Sequence, residues 1–238
     1  MKKIFMSIIL AGFIFSCKKS STDVTPTPDP TPNLTLNDTF EKSFQGWVGG
    51  FSDYPVGSEA FYELKFSQEY LPQPLDTTQK AIRISGNNHS DDLFMFLKKK
   101  LTGFKANKSY SGAFEVSFAS SAAQNMAGAG GAPGEDVSFG IGITSIEPLK
   151  VIDSVSHSYK MNIKKINQSK SGDDMKVIGN VANGTNLSKF TIIKRTGEFT
   201  GKTDANGNFW LIVGTDSGFE STTTLYYTGI KVLFTEVK

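Results

Sequence analysis

The chain is poor in the residues that staple, ligate and span. It holds one cysteine, Cys17, in 238 residues. No disulfide can close within it, so whatever folds must be held by its core alone. Its two histidines, His89 and His157, are far apart, with no cysteine partner and no His-x-x-x-His spacing, and this leaves no zinc motif. Charge of one sign is also scarce. The formal net charge of +2 is that of Lys2 and Lys3, the remainder is balanced, and without a basic patch nucleic acid is not an expected partner. No apolar run reaches the about 20 residues that cross a bilayer as a helix. Nor does any segment carry a sustained 3.6-residue apolar stripe between caps, so helices should be few and short.

What the N-terminus does have is an address. Met1-Lys2-Lys3 is a short positive start, Ile4 to Phe15 is a nearly unbroken apolar run, and Ser16 places a small residue before Cys17. That run has the length of a signal-peptide core. Ile14-Phe15-Ser16-Cys17 resembles the lipobox of bacterial lipoproteins, in which the cysteine is acylated and becomes the mature N-terminus. The resemblance implies a signal peptide over 1–16, lipidation such as palmitate on Cys17, and a membrane held through that anchor. Lipidation would also remove the only free thiol. Lys18 after the cysteine, where retained lipoproteins carry aspartate, points to the outer membrane of a Gram-negative envelope.

Residues 17–33 continue as Lys-Lys-Ser-Ser-Thr-Asp-Val-Thr-Pro-Thr-Pro-Asp-Pro-Thr-Pro-Asn after the cysteine. Alternating prolines fix φ and favour extended polyproline II, so this stretch is a semi-rigid spacer with a reach of about 3.1 Å per residue.

Residues 34–238 read as one large all-β domain, a two-sheet antiparallel β-sandwich. From Ser109 to Ala119 the residues Tyr110, Phe114, Val116 and Phe118 fall on one face and Ser109, Ser111, Glu115 and Ser117 on the other. Val137, Phe139, Ile141 and Ile143 repeat the pattern, which suits a strand with one face packed and one wet. Further strands are expected over 60–66, 80–85, 93–98, 159–163, 175–181, 189–194, 208–213 and 224–236. Asp204-Ala-Asn-Gly-Asn208 marks a hairpin, because Asn and Gly both tolerate φ > 0. The Gly/Ala-rich stretch 126–134 reads as a loop.

Several of these segments together resemble jelly-roll carbohydrate-binding modules. They are Asp38-Thr-Phe-Glu41, Gly46-Trp47, Lys80-Ala-Ile-Arg-Ile-Ser-Gly86, Leu101-Thr-Gly-Phe-Lys-Ala-Asn-Lys-Ser-Tyr110 leading to Phe114-Glu-Val116, and the closing Leu225-Tyr-Tyr-Thr-Gly-Ile-Lys-Val-Leu-Phe234. The resemblance covers the first third and the tail of the domain and leaves 120–202 without counterpart. It implies a jelly roll, a polysaccharide ligand, and a structural calcium near the first and last strands with Asp38 and Glu41 as ligands. Thr228-Gly229 stands where that family places an aspartate, and Glu41 reads equally as a solvated edge residue. A likeness to envelope lipoproteins of similar length implies no activity.

Sugar sites set aromatic faces against pyranose rings and use carboxylates and amides for the hydroxyls. Two neighbourhoods offer this: Trp47, Asp53 and Tyr54 in the loop-like 46–58, and Asp216, Phe219 and Glu220 after the Trp210 strand. Core packing is the competing role for Trp47 and Trp210, whereas Tyr54 and Phe219 sit among Gly, Pro and Ser and should be exposed.

Catalytic patterns fail on inspection. Gly214-Thr-Asp216-Ser-Gly218 resembles an aspartic-protease loop but occurs once, and reads as a tight turn. The glycine-rich loop lacks Gly-Lys-Ser/Thr. His89 with Asp91 and Asp92 could bind a cation or sugar hydroxyls but reads first as a solvated loop, and Lys98-Lys-Lys100, which could meet an acidic partner, reads first as an edge guard or a wet face. Three functions follow as expectations: a non-catalytic glycan-binding envelope lipoprotein, a structural or adhesive protein contacting other envelope proteins, and a glycan-active hydrolase with two facing carboxylates.

Overall fold

In a computed structural model of the chain, residues 34–238 are described and lie within the compact unit Thr31–Lys238. The signal segment, Cys17 and the proline spacer fall outside the described residues. Fourteen strands follow one another: β1 Leu34–Thr39, β2 Val48–Ser52, β3 Tyr54–Pro55, β4 Lys65–Tyr70, β5 Lys80–Asn87, β6 Leu93–Leu101, β7 Ser109–Ser120, β8 Val137–Thr144, β9 Lys150–Asp153, β10 Ser158–Met161, β11 Met175–Asn180, β12 Thr191–Lys202, β13 Phe209–Ser217 and β14 Thr222–Glu236. No helix occurs among the described residues, and so none there is long and apolar enough to cross a membrane.

Two antiparallel sheets form the expected sandwich. One has the order β12-β7-β14-β5-β4, the other β11-β8-β13-β6-β2, and a small third sheet runs β3-β10-β9. β14 is the organising strand of the first. Its Leu225–Glu236 stretch pairs with β7, while its other edge serves β5 over Thr222–Tyr227 and β1 over Gly229–Phe234. A register shift between Tyr227 and Gly229 separates the two partners on that edge, as a bulge does when a strand must bend.

The alternation read in β7 places Phe114, Val116 and Phe118 in the core against Phe139, Ile141 and Ile143 of β8, with Tyr227, Val232 and Phe234 of β14. Phe118 and Phe139 stack with centroids 4.8 Å apart. Burying each such side chain contributes about 1.5–3 kcal/mol, and in the absence of disulfides this term carries the fold.

β8 departs from the expected wet face. Ser138, Gly140, Gly142 and Thr144 are as buried as their apolar neighbours. The cause is segment 161–175, which crosses the outside of the second sheet and forms a second apolar cluster of Phe94, Phe96, Ile163, Ile166, Met175 and Ile212. Glycines at 140 and 142 admit it, since a Cβ on Gly140 would lie 2.9 Å from Ile166.

Other expectations are corrected by local hydrogen bonding. Residues 60–63 form a turn rather than strand, with Tyr62 N–H donating to Ser58 O at 2.9 Å, and the strand begins at Lys65. β12 extends far beyond 189–194, through Gly197 and Gly201, because it zips along all of β7. The loop-like 46–58 contains β2 and β3. Lys98 is no edge guard, since β6 lies between β13 and β2 and its Nζ is tied to Glu147 at 2.6 Å and to Pro148 O at 2.8 Å.

Candidate functional site

Of the sequence-selected residues, the structure unites Asp53 and Asp216. Asp53 follows β2 with φ 65°, a left-handed conformation that aspartate accepts more readily than most residues. Its N–H donates to Tyr159 O at 2.7 Å, and the 5% exposed carboxylate accepts from Ser52 Oγ at 2.8 Å. Asp216 is not in a turn but within β13, paired with Phe94 on one side and Ser138 on the other, and is fully buried.

Between the two carboxylates comes Lys165, delivered by the segment over the second sheet. Its Nζ contacts Asp216 Oδ2, lies 3.2 Å from Asp53 Oδ2 and stands 4.8 Å from the centroid of Phe94. Lys160 reaches Asp53 Oδ1 at 2.8 Å and Asp92 Oδ2 at 3.2 Å. Carboxylate oxygens of Asp53, Asp92 and Asp216 all lie within 4.8 Å of one another, and the positive charge among them is supplied by the two lysines.

Burial governs the protonation equilibria here. Loss of hydration pushes Asp216 up to about 6 against the opposing pull of Lys165. Asp92 is raised by burial and then by the neighbouring Asp53 charge. Lys165, which burial alone would lower, is held above its ordinary value by Asp216 and Asp53. Oδ1 of Asp216 and Oδ1 of Asp92 are buried without a hydrogen-bond partner. Asp53, Asp92, Lys160 and Lys165 line an open cavity of about 240 Å³.

The remaining candidates disperse. Trp47 is 2% exposed, its indole N–H donating to Asp38 Oδ2 at 2.8 Å. Tyr54, expected to be exposed, is 1% exposed, because Tyr62 and Tyr159 pack on its ring and Lys150 Nζ donates to its hydroxyl at 2.7 Å. Neither ring offers a face to a ligand. Phe219 is half-buried against the glycine-rich loop, where a Cβ on Gly128 would lie 2.5 Å from its ring, and Glu220 is exposed. Asp38 also receives Lys99 Nζ at 2.6 Å, while Glu41 is exposed and faces a different cavity. The carboxylates that converge are therefore not Asp38 and Glu41. His89 stacks on exposed Phe61 with centroids 4.0 Å apart.

One aromatic was missed in the sequence. Tyr70 ends β4 at 58% exposure and lines an open cavity of about 570 Å³ with Glu41, Asp76, Thr78, Gln79 and Lys80. Lys80 Nζ lies 5.0 Å from its ring centroid. Asp76 Oδ1 accepts from the N–H and hydroxyl of Thr78 at 2.9 and 2.6 Å, which lowers its pKa and keeps it ionised. Tyr70 shares its face of β4 with Phe66, which packs on the core, so alternation alone points it inward and only its place at the strand end leaves it exposed.

No family model and no curated protein matches the chain. Solved structures similar to it include the CBM22-1 and GH10 modules of a Clostridium thermocellum endo-1,4-β-D-xylanase complexed with xylohexaose, at 15% identity and TM-score 0.38 over 83% of this chain and 28% of that one. A carbohydrate-binding module of the β-sandwich superfamily aligns at 9% identity and TM-score 0.40, over 86% of this chain and 63% of that one. A sugar-binding protein from Bacteroides thetaiotaomicron, so described in its structure, aligns at 9% identity and TM-score 0.37 over 80% of this chain and 88% of that one. The chain thus spans less than two thirds of the first two.

Proposed function

We propose that the chain is a lipid-anchored envelope protein whose sandwich binds polysaccharide without cleaving it. The observation that carries this reading is the cavity at Tyr70. An exposed phenol ring stands beside two carboxylates, an amide, a hydroxyl and the two ammonium groups of Lys42 and Lys80, the combination that packs on a sugar ring and bonds its hydroxyls. A binding role without hydrolysis is supported by the burial of Asp53 and Asp216 with Lys165 between them, which leaves no room between those two carboxylates for a glycosidic bond. The anchor rests on Ser16-Cys17 and the spacer after it.

Affinity electrophoresis across a panel of neutral and acidic polysaccharides tests the binding. Retardation on at least one polymer, lost in Tyr70→Ala, is expected. Unretarded migration on every polymer sinks the glycan reading and promotes protein contact instead, a role favoured by the exposed Ile152 and Val155 of the β9–β10 hairpin, at 60% and 89%. Intact mass of detergent-extracted protein tests the anchor: acyl chains on Cys17 are expected, and Cys17→Ser should release the protein or strand its precursor.

A further inference from the structure

We propose that Lys165 and Asp216 become joined by an amide bond between their side chains, fastening the segment over the second sheet covalently to its central strand. This inference is independent of the glycan reading. Three features of the cluster carry it.

The reacting atoms are in place. Lys165 Nζ contacts the Asp216 carboxylate, and groups held in contact react with effective concentrations far above those in solution. Burial penalises both ions, and at Lys165 the attraction of Asp216 and Asp53 opposes it. Amine and carboxylic acid condense only when both are neutral, and in water hydration holds them as ions. Here Asp216 is fully enclosed, the Lys165 side chain is 10% exposed, and Phe94, a member of the second apolar cluster, lies against the ammonium. Moving one proton from ammonium to carboxylate leaves the net charge unchanged and removes the cost of two buried ions. Asp216 Oδ1 is buried without a hydrogen-bond partner, and the backbone N–H of Gln168 only partly offsets the loss of hydration. The burial that lifts this carboxyl to about 6 acts in the same direction.

A third group can carry the protons. Asp53 Oδ2 is 3.2 Å from Lys165 Nζ, and Lys160 on its other oxygen fixes its position. It accepts a proton from the ammonium and returns it to the departing oxygen. The Nζ–Cγ bond forms and one Cγ–O bond of Asp216 breaks. Two of the three ammonium protons leave on that oxygen as water, and the third stays on the amide nitrogen. No oxidant or co-reactant enters, and the open cavity at Asp92 and Lys160 gives the water an exit.

Lys99 and Asp38 supply an internal comparison. They also form a close pair, at 2.6 Å, but Trp47 N–H holds the same Asp38 oxygen and the group of converging carboxylates lies elsewhere. That pair should stay ionic.

Peptide mapping of the full chain decides the matter. Trypsin should yield a branched species joining 165–170 to 203–231, lighter than the two peptides together by one water, about 18 Da. Unjoined peptides alone, from folded protein kept for several days at neutral pH, overturn the proposal. Lys165→Arg should give only unjoined peptides, and a joined species in it would also overturn the assignment. Asp53→Asn should join about 100-fold more slowly; joining at the parental rate would remove Asp53 from the reaction. Should a variant fail to fold, the parental peptide map still decides.

Discussion

The indole N–H of Trp47 and the ammonium of Lys99 meet on one oxygen, Asp38 Oδ2, at 2.8 and 2.6 Å. This three-way contact links β1, the connection after it and β6, and the Asp38 side chain is 12% exposed. Asp38→Ala should destabilise the domain by about 1–3 kcal/mol, since a buried N–H and a shielded ammonium lose their acceptor together. Urea unfolding followed by tryptophan fluorescence measures it. Asp38→Asn, which keeps an acceptor for Trp47, should lose less, and an unchanged midpoint in the alanine variant would contradict the account.

Two tyrosines should separate binding from stability. Tyr70→Ala removes an exposed ring and should leave the unfolding free energy within about 0.5 kcal/mol of the parent while abolishing retardation by polysaccharide. Tyr54→Ala empties a site packed by Tyr62 and Tyr159 and should cost about 3 kcal/mol or more. Thermal melts beside affinity gels read both effects.

Gly142 tests the segment that crosses the second sheet. A Cβ there would collide with the carbonyl oxygen of Asp174 and lie 2.8 Å from Met175 Cγ, and backbone yields less readily than a side-chain tip. Gly142→Ala should cost about 1–3 kcal/mol through overpacking and speed proteolysis within 162–174. Protection of that segment equal to the parent's would show that it does not depend on close approach to β8.

The Asp204 turn gives a pH test. Its carboxylate accepts from Asn206 and Asn208 N–H, both at 2.8 Å, and these bonds, that of Asn208 foremost, lower its pKa below 3.8. A carboxylate lowered by folding adds stability above its unfolded value and loses it as pH falls through the folded one. The melting temperature of Asp204→Ala should therefore lie below the parent's at neutral pH, and the gap should close below 3.8. A gap constant down to pH 2 would assign the effect to something other than the charge.

The sandwich was legible because its core strands obey a period of two. Phe114, Val116 and Phe118 announce a buried face, and Asn206-Gly207, with φ 73° at the glycine, announces the turn. The charged cluster was legible only in part. Residue type alone singles out Asp53 and Asp216, yet Asp-Ser-Gly carries turn chemistry that points Asp216 to a turn, and pairing to Phe94 and Ser138 overrides it. Nothing in Lys164-Lys165 separates a solvated lysine from a buried one; their side chains are 75% and 10% exposed. That difference is made by long-range packing of Ile163 and Ile166 on Phe94 and Phe96. Tyr54 is hidden for the same reason, since neighbouring Gly, Pro and Ser describe the local chain and not the third sheet that Tyr54 joins.

β14 comes last among the described strands yet runs between β7 on one side and β5 and β1 on the other. On a ribosome those three strands would emerge well before the strand that joins them. Until it follows, their edges hold open N–H and C=O groups beside bare aromatic faces, an arrangement prone to pairing with the wrong chain. Contacts so distant in sequence also slow folding. A nascent copy of this protein should thus be a client for holding chaperones until its last strand is out, and strand order alone sets that waiting time.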